Sequence, residues 1–222
     1  MNQEYAYGMW VVVAFNIGLF LFFFLSFLPP KGKLEWRNMG IVTAFLIALF
    51  SEMYGFPLTI YLLTGWLGDA YPVMQPFNHK FGHLWVVVFG GSDLAWFVVM
   101  GLSLLFMLAG YLLLSKGWKQ VHGGKGELIT DGVYAYARHP QYTGLMLVIT
   151  GFLIQWPTLL TVLMAPLLIT AYVYLSRQEE QAMLRQYGHR YQDYINNLPM
   201  FFPKLSEWWG FLFVKVKESD MD

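Results

Sequence analysis

The sequence predicts an all-α fold: a polytopic membrane helix bundle of about five transmembrane helices, with a further C-terminal helix that is cytosolic or interfacial. Three observations lead to this prediction. Mean hydropathy is +0.45 over 222 residues and only 13% of them are charged, whereas soluble domains carry about 25% charged residues. Several apolar runs approach the length of about 20 residues that a helix needs to cross a bilayer. Aromatic residues make up 19% of the chain, which is typical of proteins anchored at two membrane interfaces.

Five apolar segments are predicted to span the membrane. In chain order they are residues 7–28, 39–63, 93–115, 139–155 and 158–176. The second segment contains Glu52 and Pro57, and Trp156-Pro157 forms the turn of a hairpin between the last two. The loop 64–92 holds a short apolar stretch, 84–89, which is too short to span and is therefore interfacial or re-entrant.

Residues 177–197 are more polar and are predicted to form the C-terminal helix. Apolar and aromatic residues recur along it at helical spacing: Leu184, Tyr187, Tyr191 and Tyr194. Gly188 weakens the middle of this helix, and Pro199 ends it. The helix either continues the fifth span into the cytosol or lies along the interface.

Basic residues indicate the orientation of the chain. With five spans and the N-terminus outside, 13 of the 14 Lys and Arg residues lie on the inner side, and only Lys80 lies outside. Inner loops of membrane proteins are enriched in Lys and Arg. We therefore expect an outside N-terminus and a cytosolic C-terminus, in a bacterial or archaeal cytoplasmic membrane.

Composition narrows the range of functions. The chain has no cysteine, which excludes disulfides, a thiol nucleophile and thiolate metal ligands. Net charge is zero, so no overall field favours nucleic acid as a partner. We expect one membrane domain over residues 1–222, with membrane lipids and a lipophilic substrate as partners, no metal site and an oligomeric state that the sequence leaves open.

The candidate catalytic and ligand-binding residues lie where the fourth span begins and the fifth ends. The fourth begins Arg138-His139-Pro140-Gln-Tyr142-Thr-Gly144, and Glu179-Glu180 follows the fifth. Proline suits the first turn of a helix, where free N–H groups bind anions, and arginine adds a planar fork for a carboxylate. Taken singly, such residues are also typical of interface anchors and solvated helix ends. Their conjunction across one hairpin favours a functional site.

These motifs resemble those of a known family. The segment Gly132-Val-Tyr134-Ala-Tyr-Ala-Arg138-His139-Pro140-Gln-Tyr142-Thr-Gly144, followed by Glu179-Glu180, Tyr187-Gly188 and Pro203, is similar to the signature of the integral membrane methyltransferases. That family includes the isoprenylcysteine carboxyl methyltransferases and the phospholipid N-methyltransferases. The resemblance covers about residues 126–203, and the first 120 residues have no such counterpart.

The resemblance implies S-adenosylmethionine as the cofactor and a lipophilic or membrane-delivered methyl acceptor (a carboxylate, an amine or a thiol) at the cytosolic face. Arg138 and Arg190 would orient a carboxylate of the cofactor or the substrate. Residues 121–203 would form a cofactor-binding catalytic hairpin and tail helix, and residues 1–120 the substrate side. The implied cofactor-binding residues are Tyr134, His139, Tyr142, Gly144, Glu179 and Glu180.

Glu52 is a third catalytic candidate, because an ionisable residue inside a span is by default a functional one. We assign it to the substrate side, with a partner in the bundle as the structural alternative. Two other functions stay open. NADPH-dependent membrane sterol reductases share a similar C-terminal motif, although there an acid commonly follows the glycine, whereas Leu145 stands here. A transporter or channel would explain Glu52 and Pro57, but no inverted repeat accompanies them.

Overall fold

The computed structural model describes residues 7–28, 33–67, 82–123 and 127–215. Within these ranges all regular secondary structure is helical, which confirms the predicted fold class. The loop residues 68–81, which include Lys80, lie outside the described residues, as do Lys31, Lys125 and Lys217.

Nine α-helices follow one another along the described ranges. They are α1 (Trp10–Phe27), α2 (Lys33–Phe50), α3 (Leu58–Leu67), α4 (Leu84–Val88), α5 (Asp93–Gly123), α6 (Pro140–Gln155), α7 (Leu159–Tyr187), α8 (His189–Asn197) and α9 (Trp208–Phe213). A π-helical turn over Ser51–Gly55 extends α2, and 3-10 turns lie at Gly132–Ala135 and Leu205–Glu207.

Among the described helices, four are long and apolar enough to cross a membrane: α1, α2 with its π turn (Glu35–Gly55), α5 and α7. The remaining predicted span corresponds to α6, which has 16 residues and so falls short of the usual length of about 20. The predicted count of about five is therefore approximate.

The second span ends at Gly55 rather than near Leu63. Phe56, the residue before Pro57, is extended, with φ −122° and ψ 114°. Proline disfavours helical backbone at the residue before it, so the chain leaves the helix here and α3 starts afresh as a helix of 10 residues.

The described residues fall into two compact units, of which the first comprises Met1–Leu105 and Thr150–Leu168. Most of α1 presents apolar side chains outwards, including Val11, Phe15 and Phe22, as a lipid-facing helix does. Its other side packs through Phe20, whose ring lies 5.5 Å from that of Phe50 and 4.9 Å from that of Phe152.

The second unit comprises Phe106–Ile149 and Ile169–Asp222. Helices α5 and α6 approach each other closely at two glycines. A Cβ atom on Gly144 would lie 2.7 Å from the Gly110 carbonyl oxygen, and one on Gly110 would lie 2.5 Å from the Gly144 carbonyl oxygen. A side chain at either position would collide with backbone. The buried cluster beside this crossing consists of Leu113, Val133, Ala137, Leu147 and Phe211.

The predicted C-terminal helix is divided between two helices. Helix α7 continues without a break past Ser176 to Tyr187, so the first half of the predicted helix extends the fifth span. Gly188 then interrupts it with φ +55°, a conformation that glycine adopts without strain, and α8 follows.

Helix α9 was not predicted from the sequence. It is held to α5 by Lys116, whose Nζ donates to the carbonyl oxygens of Leu212 (2.5 Å) and Val214 (2.9 Å). Phe211 on its inner side is fully buried, whereas Trp209 is exposed. The C-terminal segment is thereby fixed within the second unit.

Candidate functional site

The candidate site lies in the second unit, where α6 begins. Helix α6 starts at Pro140, as expected of a proline in a first helical turn. The backbone N–H groups of Arg138 and His139 donate to the carbonyl oxygens of Pro199 (3.0 Å) and Met200 (2.9 Å). The backbone at the start of α6 is therefore bound to the segment that follows α8.

Glu180 forms a buried ion pair with Arg138 and also contacts His139. Oε1 of Glu180 accepts from Arg138 Nε at 2.6 Å and lies 3.2 Å from His139 Nε2. All three side chains are almost excluded from solvent. Burial of one charge is costly unless a partner of opposite sign lies beside it, so the three groups depend on one another.

Glu179 has a different environment from its neighbour. Its side chain is 48% exposed, against 12% for Glu180. Oε1 of Glu179 accepts from the Tyr142 hydroxyl at 2.6 Å, and Oε2 lies 3.4 Å from His139 Nδ1. Glu179 is therefore an oriented carboxylate that solvent, or a ligand, can reach.

His139 lies between the two carboxylates, one at each ring nitrogen. Burial by itself lowers the pKa of the imidazole, but the hydrogen bonds and negative charges of Glu179 and Glu180 outweigh burial, so the pKa is raised above its ordinary value. A protonated ring can donate from both nitrogens at once. In its protonated form His139 therefore donates to both carboxylates and orients them.

Arg138 is engaged mainly with the protein. Besides Glu180, it donates through Nη1 to the carbonyl oxygens of Ile195, at 3.1 Å, and of Leu198. These bonds tie the end of α8 to the start of α6. The predicted role of Arg138 in orienting a ligand carboxylate is untested, and its observed contacts favour the positioning of Glu180.

Three tyrosines surround the cluster. The Tyr194 hydroxyl donates to the Tyr134 carbonyl oxygen at 2.6 Å. Burial, and to a smaller extent the negative charge of Glu180, raises the pKa of Tyr191 to about 12. Burial also raises the pKa of Tyr134 and Tyr194, with the charge of Glu179 contributing at Tyr134. The three phenols are therefore neutral at physiological pH and can hydrogen-bond without carrying charge.

Two predicted site residues have other surroundings. Gly144 packs against Gly110 of α5, a contact that by itself requires glycine. Arg190 is exposed on α8 and does not take part in the hydrogen bonds of the cluster just described. The predicted ligand contacts of both remain predictions.

Glu52 lies in the first unit, within the π turn. It is buried, and its Oε2 accepts from the backbone N–H of Thr59 at 2.7 Å, so it caps the start of α3. The Thr59 hydroxyl in turn accepts from the N–H of Leu159 at 2.9 Å. Oε1 of Glu52 is buried and has no hydrogen-bond partner among the described residues.

Sequence reasoning missed several groups of the site. Thr143 Oγ1 donates to the Phe201 carbonyl oxygen at 2.7 Å. Tyr172 stacks on Tyr142, with ring centroids 5.6 Å apart, and Ser176 is fully buried. The last two lie two turns and one turn before Glu180, a helical spacing that could have revealed them.

Comparison with known proteins supports the resemblance. Residues 97–190 match the protein-family model described as phospholipid methyltransferase, and that range includes the whole of the start of α6 and both glutamates. Neither the curated proteins nor the solved structures compared with the chain contain a significant match. The chain is similar to integral membrane methyltransferases, and the match indicates a membrane methyltransferase. Among the described residues, no group of three or more His, Asp or Glu side chains could hold a metal ion.

Proposed function

We propose that this protein is a methyltransferase that uses S-adenosylmethionine and transfers a methyl group to a lipid-like acceptor at the cytosolic face of the membrane. One observation carries the proposal. His139 and Tyr142, at the start of α6, orient the half-exposed carboxylate of Glu179, within a segment that matches the phospholipid methyltransferase family.

The charges of the cluster fit the cofactor. S-adenosylmethionine carries an ammonium group, a carboxylate and, on a sulfonium, the electrophilic methyl group that it supplies when bound. Glu179 offers an accessible carboxylate for the positive groups, and the His139 imidazolium offers a positive charge for the carboxylate. Glu180 is already satisfied by Arg138 and His139, so we assign it to holding the imidazolium in place.

The residues of the chain would act chiefly by alignment. Methyl transfer requires the nucleophile and the methyl group in line, and holding reactants in position contributes roughly 7–11 kcal/mol. Fixing Glu179 from two sides reduces the ordering that ligand binding must supply. A carboxylate acceptor would need no base, whereas an amine would release a proton, and Glu179 is then the accessible base.

Calorimetric titration with S-adenosylmethionine tests the proposal. His139→Ala and Glu179→Gln should each weaken binding by about tenfold or more, because each removes an ionic contact or its support. His189→Ala and Glu127→Ala, which alter exposed residues of the same types, are the matched controls and should bind as the wild type does.

A second titration, with NADPH, tests the alternative that the protein is a reductase. Binding of NADPH in place of S-adenosylmethionine would contradict the proposal, and so would unchanged affinity for S-adenosylmethionine in both cluster variants. Incubation of the wild type with methyl-labelled cofactor and membrane extract, followed by identification of the labelled lipid, then establishes the acceptor.

A further inference from the structure

Two buried hydroxyl groups on α7 have no hydrogen-bond partner among the described residues. Ser176 is 0% exposed and Tyr172 is 3% exposed. Neither Ser176 Oγ nor Tyr172 Oη makes a hydrogen bond to any part of the chain that the structure describes. Buried polar groups in proteins are nearly always paired, and each exception calls for an explanation.

Both hydroxyls lie beside the carboxylate cluster, on the same face of α7. Ser176 and Tyr172 precede Glu180 by four and eight residues, which places them about 6 Å and about 12 Å further along the helix axis. Tyr142 connects the two regions, because its hydroxyl binds Glu179 while its ring stacks on Tyr172 at an interplanar angle of 27°.

The polar groups along this face of α7 change from ionic to neutral with distance from the carboxylate cluster. At one end the side chains are ionic, with His139, Glu179 and Glu180 in contact. Further along, the two hydroxyls are neutral groups, each of which can donate one hydrogen bond and accept others. A ligand that bears charges at one end and uncharged polar atoms at the other would satisfy both parts.

We propose that Tyr172 and Ser176 are two further cofactor-binding residues, whose hydroxyls hydrogen-bond uncharged polar atoms of the nucleoside part of S-adenosylmethionine. The charged amino-acid part then lies at His139 and Glu179. This inference rests on the proposed function. It explains why a membrane helix keeps two buried hydroxyls that have no partner in the described part of the chain.

Removal of either hydroxyl should weaken cofactor binding without destabilising the fold. The variants Tyr172→Phe and Ser176→Ala delete a buried group without a partner, so the ligand-free protein should melt at the wild-type temperature or above it. Each variant should nonetheless bind S-adenosylhomocysteine about three- to tenfold more weakly by calorimetry, the usual effect of one lost hydrogen bond. Tyr174→Phe, an exposed tyrosine on the same helix, is the matched control and should leave affinity unchanged.

The outcomes distinguish the two proposals. Failure of the wild type to bind S-adenosylhomocysteine would overturn the proposed function itself. Wild-type affinity in both hydroxyl variants would overturn only the cofactor role of Tyr172 and Ser176, and would leave water as the partner of these groups. A variant with unchanged cofactor affinity but a raised KM for the methyl acceptor would place the hydroxyl on the acceptor and would also contradict the inference.

Discussion

At the scale of single residues, His139 is the group on which the geometry of the site depends most. It contacts both carboxylates, and its ring also lies 6.0 Å from that of Phe201 in the segment that covers it. Glu179 and Glu180 are adjacent in sequence and would repel each other if both were ionised without a cation nearby. A protonated His139 ring, together with Arg138 at Glu180, reduces this repulsion.

The protonation of His139 leads to a prediction about pH. The pKa of His139 is raised in the folded protein, so the protonated ring stabilises the fold. That contribution is complete below the ordinary value of about 6.5 and is lost as pH rises through the raised value. The melting temperature of the wild type should therefore decrease as pH rises above about 6.5, and His139→Gln should flatten this decrease. His189→Gln should keep the wild-type slope, and an unaltered slope in His139→Gln would contradict the prediction.

Glu52 leads to a second prediction at this scale. One carboxyl oxygen of Glu52 is buried and has no hydrogen-bond partner in the described ranges, and an ionisable group inside a membrane span is costly and typically functional. Glu52→Gln keeps an oxygen that can accept from the Thr59 N–H, so the fold should persist. If Glu52 belongs to the substrate side, this variant lowers kcat or raises KM for the acceptor and leaves cofactor affinity nearly unchanged. Normal kinetics would assign Glu52 to the capping of α3, and loss of cofactor binding in a folded variant would refute the assignment.

The sequence predicted which side chains form the candidate site. Arg138, His139, Tyr142, Glu179 and Glu180 were all selected in advance, and the structure brings them together. The backbone oxygens that bind them were not foreseen, because a carbonyl group is common to every residue and only the fold determines which ones converge.

At the scale of elements, single residues determine where two helices end. The second span was predicted to run through Pro57 to residue 63, whereas the helix ends at Gly55, because proline disfavours helical backbone at the residue before it. Gly188 was predicted only to weaken the C-terminal helix, but it separates α7 from α8. The conformational preferences of both residues could have been used to predict these helix ends. Helix α9 was not predictable in this way. It has six residues, too few for a periodic pattern, and the bonds from Lys116 that fix its end come from a distant part of the chain.

The crossing of α5 and α6 gives a prediction about stability. In Gly144→Ala the new methyl group would meet backbone and Leu114 at under 3 Å, so the helices must separate. Overpacking of this kind costs about 1–3 kcal/mol, which denaturant or thermal unfolding in detergent would measure. Gly101→Ala is the matched control, since nothing lies within 4 Å of its Cβ position and alanine favours the helix. Equal stability of the two variants would show that the contact at Gly144 is not tight.

At the scale of the whole molecule, charge is distributed unevenly along a chain whose net charge is zero. The cofactor of the proposed reaction is water-soluble, and the candidate site lies at helix ends that the basic residues assign to the cytosol. Arg138 and Arg190 enter both inferences, whereas the other basic residues on the predicted inner side bear only on the orientation.

The orientation gives the last prediction, which the absence of cysteine makes directly testable. Single cysteines can be introduced at Ser92, exposed before α5, and at Gln192, exposed on α8. With the N-terminus outside, Ser92 faces the exterior and Gln192 the cytosol, because an odd number of spans separates them. A membrane-impermeant maleimide should therefore label Ser92→Cys in intact cells and Gln192→Cys only after permeabilisation. Labelling of both from outside would refute the arrangement of spans, and the reverse pattern would place the candidate site on the side away from the cytosolic cofactor.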